Sequence, residues 1–126
     1  MGPHILVVDD EDSIRFALED YFTAQGCTVD CACELEEAQA LLSNIQYALV
    51  LCDLRLGGIH SAEGLELVAF VRERCAPETK VVMLTAYGTP EIQSEAYRRG
   101  ADAFLVKSQP LGELAHLAMS TVRAAS

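Results

Sequence analysis

The sequence predicts an open, doubly wound α/β domain built on a parallel sheet. Three observations carry the prediction. Four short segments are apolar at nearly every position, as strands covered on both faces are. Helical stripes of apolar residues fill the gaps between them. With one wetter strand included, the βα alternation recurs five times, and right-handed crossovers wind such a chain into a sheet with helices on both sides.

The first strand is Ile5–Val8, and the stripe Ile14, Ala17, Leu18, Tyr21 and Phe22 marks the helix after it. The run from Cys27 to Cys33 is interrupted by Thr28 and Asp30, so it reads as an edge strand with one wetter face. Leu35, Ala38, Leu41, Leu42 and Ile45 repeat the helical spacing. Ala48–Cys52 is the third strand, and a helix from about Ala62 to Arg74 carries Leu65, Leu67, Val68 and Val71. Val81–Leu84 is the fourth strand.

The helix expected between Thr89 and Arg99 has clear punctuation and a thin apolar face. Thr89 suits the N-cap, Pro90 the first helical position and Gly100 the residue past the end. Ile92 is its only large aliphatic residue, which predicts low local stability. Ala103–Val106 is the fifth strand. Pro110 fits the first turn of the last helix, whose stripe is Leu111, Leu114, Ala118 and Val122, with His116 projecting off it into solvent.

Composition narrows the function classes. The 126 residues fit one domain, 1–126, and 51% apolar content excludes intrinsic disorder. Nine Lys+Arg against 19 Asp+Glu give a net charge of −10 at pH 7, which disfavours direct nucleic acid binding and anionic membranes. A cation or a basic protein surface fits that charge better. The longest apolar run, Tyr47 to Cys52, is far below the roughly 18–20 residues of a membrane helix. No basic segment precedes Ile5, so no secretory signal is read and a cytoplasmic location is expected. Of the cysteines at 27, 31, 33, 52 and 75, only Cys31 and Cys33 form a C-x-C, with no second pair to complete a zinc site. Reduced, mostly buried thiols are expected.

In doubly wound sheets, ligands bind beyond the carboxyl ends of the strands. The first strand ends there in Asp9 and Asp10, the third in Asp53, the fourth in Thr85 and the fifth in Lys107. Two carboxylates about 4 Å apart repel by roughly 4 kcal/mol at an effective dielectric near 20. Three together are hard to justify without a cation. Few protein oxygens and retained water suit Mg²⁺, often with a phosphoryl group completing its shell. Asp53 is the natural nucleophile for an acyl phosphate, while Lys107 and Thr85 supply a charge and a hydrogen bond for phosphoryl oxygens. Taken singly, Asp9, Asp10 and Asp12 could merely cap the first helix. The joint arrangement is what points to phosphoryl chemistry.

These segments resemble the receiver domain of bacterial two-component response regulators over essentially the whole chain. ILVVDDED is similar to that family's acidic first-strand motif, LVLCDL to its phosphoacceptor strand, VVMLTA to its hydroxyl strand and ADAFLVK to its lysine strand. The resemblance implies a flavodoxin-like sheet of order 2-1-3-4-5 with five helices on both faces. It implies that Asp53 accepts a phosphoryl group from the phosphohistidine of a sensor histidine kinase or phosphotransfer protein. Asp9, Asp10, Asp53 and the backbone carbonyl of Arg55 would hold Mg²⁺ or Mn²⁺. Thr85 and Lys107 would contact the phosphoryl group. Phe104, three residues before the lysine, would be the switch aromatic, turning inward as Thr85 moves and altering the surface around the fourth helix and fifth strand. A dimer formed on phosphorylation is compatible with the family. Such a domain catalyses only its own phosphorylation and dephosphorylation, and its output is not readable from these residues.

Two departures stand out. The family usually has Pro directly after the lysine, often in a cis peptide; here the run is KSQP, and a cis bond before a non-proline residue costs about 2.5–4 kcal/mol. Lys107–Ser108 is therefore expected to be trans. The stretch DLRLGGIHSAEG after Asp53 is three residues longer than usual, either a flexible kinase-contact loop or a tolerated insertion. Arg55 and Tyr87, two residues past Asp53 and Thr85, occupy positions that border water's route to the phosphoryl group in this family, so slow dephosphorylation is expected. Two other functions compete. A haloacid-dehalogenase-type phosphohydrolase would want a second carboxylate where Arg55 stands. A receiver-like module that is never phosphorylated would have no use for all five site residues.

Overall fold

The computed structural model describes residues 2–53, 63–86 and 89–124. Five strands alternate with five helices: β1 His4–Val8, α1 Asp12–Ala24, β2 Thr28–Ala32, α2 Leu35–Asn44, β3 Leu49–Asp53, α3 Glu63–Arg74, β4 Lys80–Thr85, α4 Pro90–Arg99, β5 Ala103–Val106 and α5 Leu111–Ala124. All strand pairings are parallel, and the order is β2-β1-β3-β4-β5. The doubly wound sheet expected from the alternation is the one observed.

The alternation of side chains along each strand divides the core in two. Leu6, Val8, Val50, Cys52, Val81, Met83 and Phe104 pack on one face with α2, α3 and α4. Ile5, Val7, Leu49, Leu51, Val82 and Leu84 pack on the other with α1 and α5. The central strands are buried at every position from Ile5 to Val8 and from Leu49 to Cys52, which is why these runs are continuously apolar.

β2 lies at the edge, as its interrupted pattern predicts, and Ala32 is its only buried residue. Asp30 is tolerated there because Tyr47 Oη donates to its Oδ2 at 2.7 Å and His4 Nε2 lies 2.8 Å from the same oxygen. Burial and this carboxylate together push the Tyr47 phenol well above its ordinary pKa.

α4 has the predicted ends. Thr89 Oγ1 accepts from Ile92 N at 3.2 Å, Pro90 starts the helix, and Gly100 closes it at φ 114°. Ala96 is its only buried residue. The turn that follows it is tied to α3 and β4: Arg72 donates to Thr79 O and to Asp102 Oδ2, and the Asp102 carboxylate oxygen also accepts from Val81 N at 2.9 Å.

Two expectations are corrected. Pro110 is not in the first turn of α5 but caps it from outside, its carbonyl accepting from Glu113 N and Leu114 N; a residue without an N–H sits as easily one step before the helix. The cysteines are not mostly buried. Cys27 and Cys52 are, Cys31 and Cys75 are half-buried, and Cys33 is exposed, because the edge strand that carries Cys31 lacks cover on one side. His116 is exposed, as expected. No peptide bond among the described residues is cis, so Lys107–Ser108 is trans. No helix among the described residues is long and apolar enough to cross a membrane.

Candidate functional site

The strand register assembles the site. Val8 pairs with Cys52 across β1 and β3, so Asp9 and Asp53, each one residue further on, leave the sheet side by side. Asp53 pairs with Leu84, and Thr85, the next residue of β4, pairs with Val106, immediately before Lys107. Four chemistry-bearing residues thus stand on neighbouring strands at one end of the sheet.

Asp9, Asp53 and Thr85 are buried, with exposures of 2%, 5% and 0%. Asp10 is exposed. Carboxylate oxygens of Asp9, Asp10 and Asp53 all lie within 4.8 Å of one another. Lys107 Nζ is 2.9 Å from Asp9 Oδ2 and 3.5 Å from Asp53 Oδ1. Burial alone would lower the Lys107 pKa, but its hydrogen bond to Asp9 and the charges of Asp53 and Asp9 together raise it above the ordinary value. The lysine is a permanent cation at neutral pH.

One ammonium does not balance three carboxylates. The surplus is negative, open to solvent through Asp10, and made only of hard oxygen donors, a set that fits a small divalent cation better than zinc or copper. The donor chemistry therefore matches the metal expected from the sequence.

Thr85 lies on the sheet face of Met83, two residues earlier, and Met83 pairs with Phe104. Thr85 and Phe104 thus share the face covered by α3 and α4, and Phe104 is turned into that core at 9% exposure. Cys52, next to Asp53, is fully buried, and burial and the Asp53 charge hold its thiol far above the ordinary pKa. It is packing, not a nucleophile. Arg55, Tyr87 and the lengthened stretch after Asp53 lie outside the described residues.

Arg15 escaped the sequence reading. Its guanidinium donates to the Asp9 carbonyl at 2.8 Å and to the Asp12 carboxylate. The Asp12–Arg15 spacing of three on a helix was the available signal. Its reach back to a backbone carbonyl leaves no trace in a residue pattern.

A doubly wound parallel sheet with a lysine and an acidic pocket able to hold a cation at its carboxyl edge points to a phosphosignalling class of domain. Comparison with known proteins narrows it. The family profile of the response regulator receiver domain matches residues 5–118. The chain is 36% identical over 118 residues to the response regulator protein PilR of Pseudomonas aeruginosa, covering 94% of this chain and 26% of that one. A CheY-like receiver domain protein from Methanospirillum hungatei superposes with a TM-score of 0.87 at 26% identity, covering 99% of this chain and 97% of the other. A response regulator from Burkholderia pseudomallei, solved with a phosphorylated aspartic acid, a calcium ion and citrate, gives 0.83 at 25% identity, over 98% and 72%. The chain spans 26% to 42% of the length of the curated relatives it matches. It belongs to the response regulator receiver domain family. It is thus a signalling domain of the two-component kind, a switch operated by phosphorylation.

Proposed function

We propose that Asp53 is the phosphoacceptor of this switch and that Asp9, Asp10 and Asp53, with the backbone carbonyl of Arg55, hold Mg²⁺ or Mn²⁺. The observation that carries the reading is the placement of Asp53: 5% exposed at the end of a central strand, within 4.8 Å of two further carboxylates and 3.5 Å from the Lys107 ammonium. A carboxylate so confined is held for reaction rather than for solubility.

In the transfer, an Asp53 oxygen bonds to phosphorus as the P–N bond of a phosphohistidine breaks, and the imidazole leaves with the electron pair and takes a proton. When bound, the divalent cation supplies charge neutralisation for the phosphoryl oxygens. Lys107, already bonded to both buried acids, exchanges one of those contacts for a phosphoryl oxygen. Thr85 donates its hydroxyl to another. The new group adds about −1.5 to −2 charge, and Thr85 and Phe104, on one sheet face, relay its arrival to β5 and the thinly anchored α4.

The donor would be a histidine kinase or phosphotransfer protein, the location cytoplasmic, and residues 1–126 one receiver domain that turns over no other substrate. Dimerisation on phosphorylation fits this reading. Direct nucleic acid or membrane binding does not, given the net charge of −10. Arg55 and Tyr87 would restrict water and lengthen the life of the acyl phosphate.

The test is Mg²⁺-dependent phosphorylation by a small acyl phosphate donor, followed by intact mass. Wild type should gain one phosphoryl group and Asp53→Asn none. An adduct on both, or on neither, would overturn the assignment.

A further inference from the structure

Asp9 is fixed at every polar atom. Its N–H donates to Ala32 O at 3.1 Å, its Oδ1 accepts from Glu11 N at 2.9 Å, its Oδ2 accepts from Lys107 Nζ at 2.9 Å, and its carbonyl accepts from Arg15 at 2.8 Å. The last of these concerns the next residue. The Asp9 carbonyl belongs to the peptide plane that leads into Asp10, so whatever holds that oxygen sets the direction in which Asp10 leaves the strand. Asp10 is beyond the sheet and exposed, so neither strand pairing nor burial places it. Arg15 is itself well held: its side chain is only 14% exposed, it sits one turn into α1, and its second guanidinium nitrogen is bonded to Asp12.

We propose that Arg15 is a positioning residue for the cation site, acting through the Asp9–Asp10 peptide to keep the Asp10 carboxylate within reach of those of Asp9 and Asp53. This rests on the reading of the three carboxylates as a divalent cation site. A purely electrostatic role predicts the opposite effect, because removing a nearby positive charge and releasing the Asp12 carboxylate would make cation binding tighter. The sign of the change therefore separates the two.

The experiment is a Mg²⁺ titration of the domain followed by amide NMR shifts, which also report whether each variant is folded. Arg15→Ala should weaken Mg²⁺ binding about tenfold, the scale of lost outer-shell support. In an Asp10→Asn background, where there is no carboxylate left to place, the same substitution should change affinity less than about twofold, the signature of coupled residues. Unchanged or tighter binding by Arg15→Ala, or an equal loss in both backgrounds, would overturn the proposal. If Arg15→Ala does not fold, Arg15→Lys, which can reach one of the two partners but not both, takes its place and should show a smaller loss with the same dependence on Asp10. Failure of the underlying reading looks different: wild type itself would then bind no Mg²⁺, or bind it as well after Asp53→Asn.

Discussion

The Lys107 ammonium lies 2.9 Å from a carboxylate oxygen of Asp9, a bond between residues 98 positions apart. It reaches from the end of edge strand β5 past β4 and β3 to β1. The parallel order of the strands brings both residues to the same edge of the sheet, where the two side chains meet.

Removing that ammonium leaves two buried acids facing each other. Breaking a buried pair on one side costs about 3–5 kcal/mol, and the Lys107 side chain, 12% exposed, retains some contact with water. Lys107→Ala should therefore lose about 2–3 kcal/mol in metal-free urea unfolding. A loss under about 0.5 kcal/mol would mean that the pair is screened as surface pairs are.

The same pair has a defined pH dependence. The Lys107 pKa is raised above its ordinary 10.5 on folding, so its contribution is complete below the unfolded value and fades only as pH rises through the higher folded value. The stability gap between wild type and Lys107→Ala should be flat from about pH 7 to 9 and close only above about pH 10.5. A gap that closes near neutrality would contradict the Asp9 bond.

Divalent cations should raise the unfolding midpoint, and chelation should reverse it. At a hundredfold excess over Kd the gain is about 2.7 kcal/mol. Asp53→Asn should reduce the gain, and an undiminished one would place the ion elsewhere.

α4 should open more readily than its neighbours. With Ala96 its only buried residue, its amides should exchange faster than those of α3, which buries Gly64, Leu67, Val68 and Val71. Thr89→Ala should cost about 1 kcal/mol through the lost cap and speed exchange in α4 first. Equal protection of α3 and α4 would refute this.

Gly100→Ala should destabilise by about 2 kcal/mol, the scale of a forced left-handed residue. Its φ is 114°, and a Cβ there would lie 2.1 Å from Arg72 Cγ. Adding Arg72→Ala should relieve the clash but not the backbone strain, leaving the double variant less stable than Arg72→Ala alone. Equal stability of those two would show that the backbone accommodates alanine.

Much of this was legible in the sequence because each buried site residue follows an apolar strand. Asp9, Asp53, Thr85 and Lys107 are placed by counting from Val8, Cys52, Leu84 and Val106, and strand registers preserve such counts. What stayed hidden are contacts made by side chains to distant backbone or across elements: Arg15 on the Asp9 carbonyl, Arg72 and Asp102 under α4, Tyr47 and His4 on Asp30. Each depends on how elements pack, and nothing periodic announces it. Pro110 misled for a related reason, since proline is as compatible with the residue before a helix as with its first turn.

The lateral arrangement of Asp9 and Asp53 has one further consequence. Adjacent strands stand about 4.8 Å apart, and these two acids take their separation from that repeat. Backbone hydrogen bonding would thus be the gauge against which the size of a bound ion is measured. Helices and loops around the pocket can diverge freely while the ruler keeps its markings.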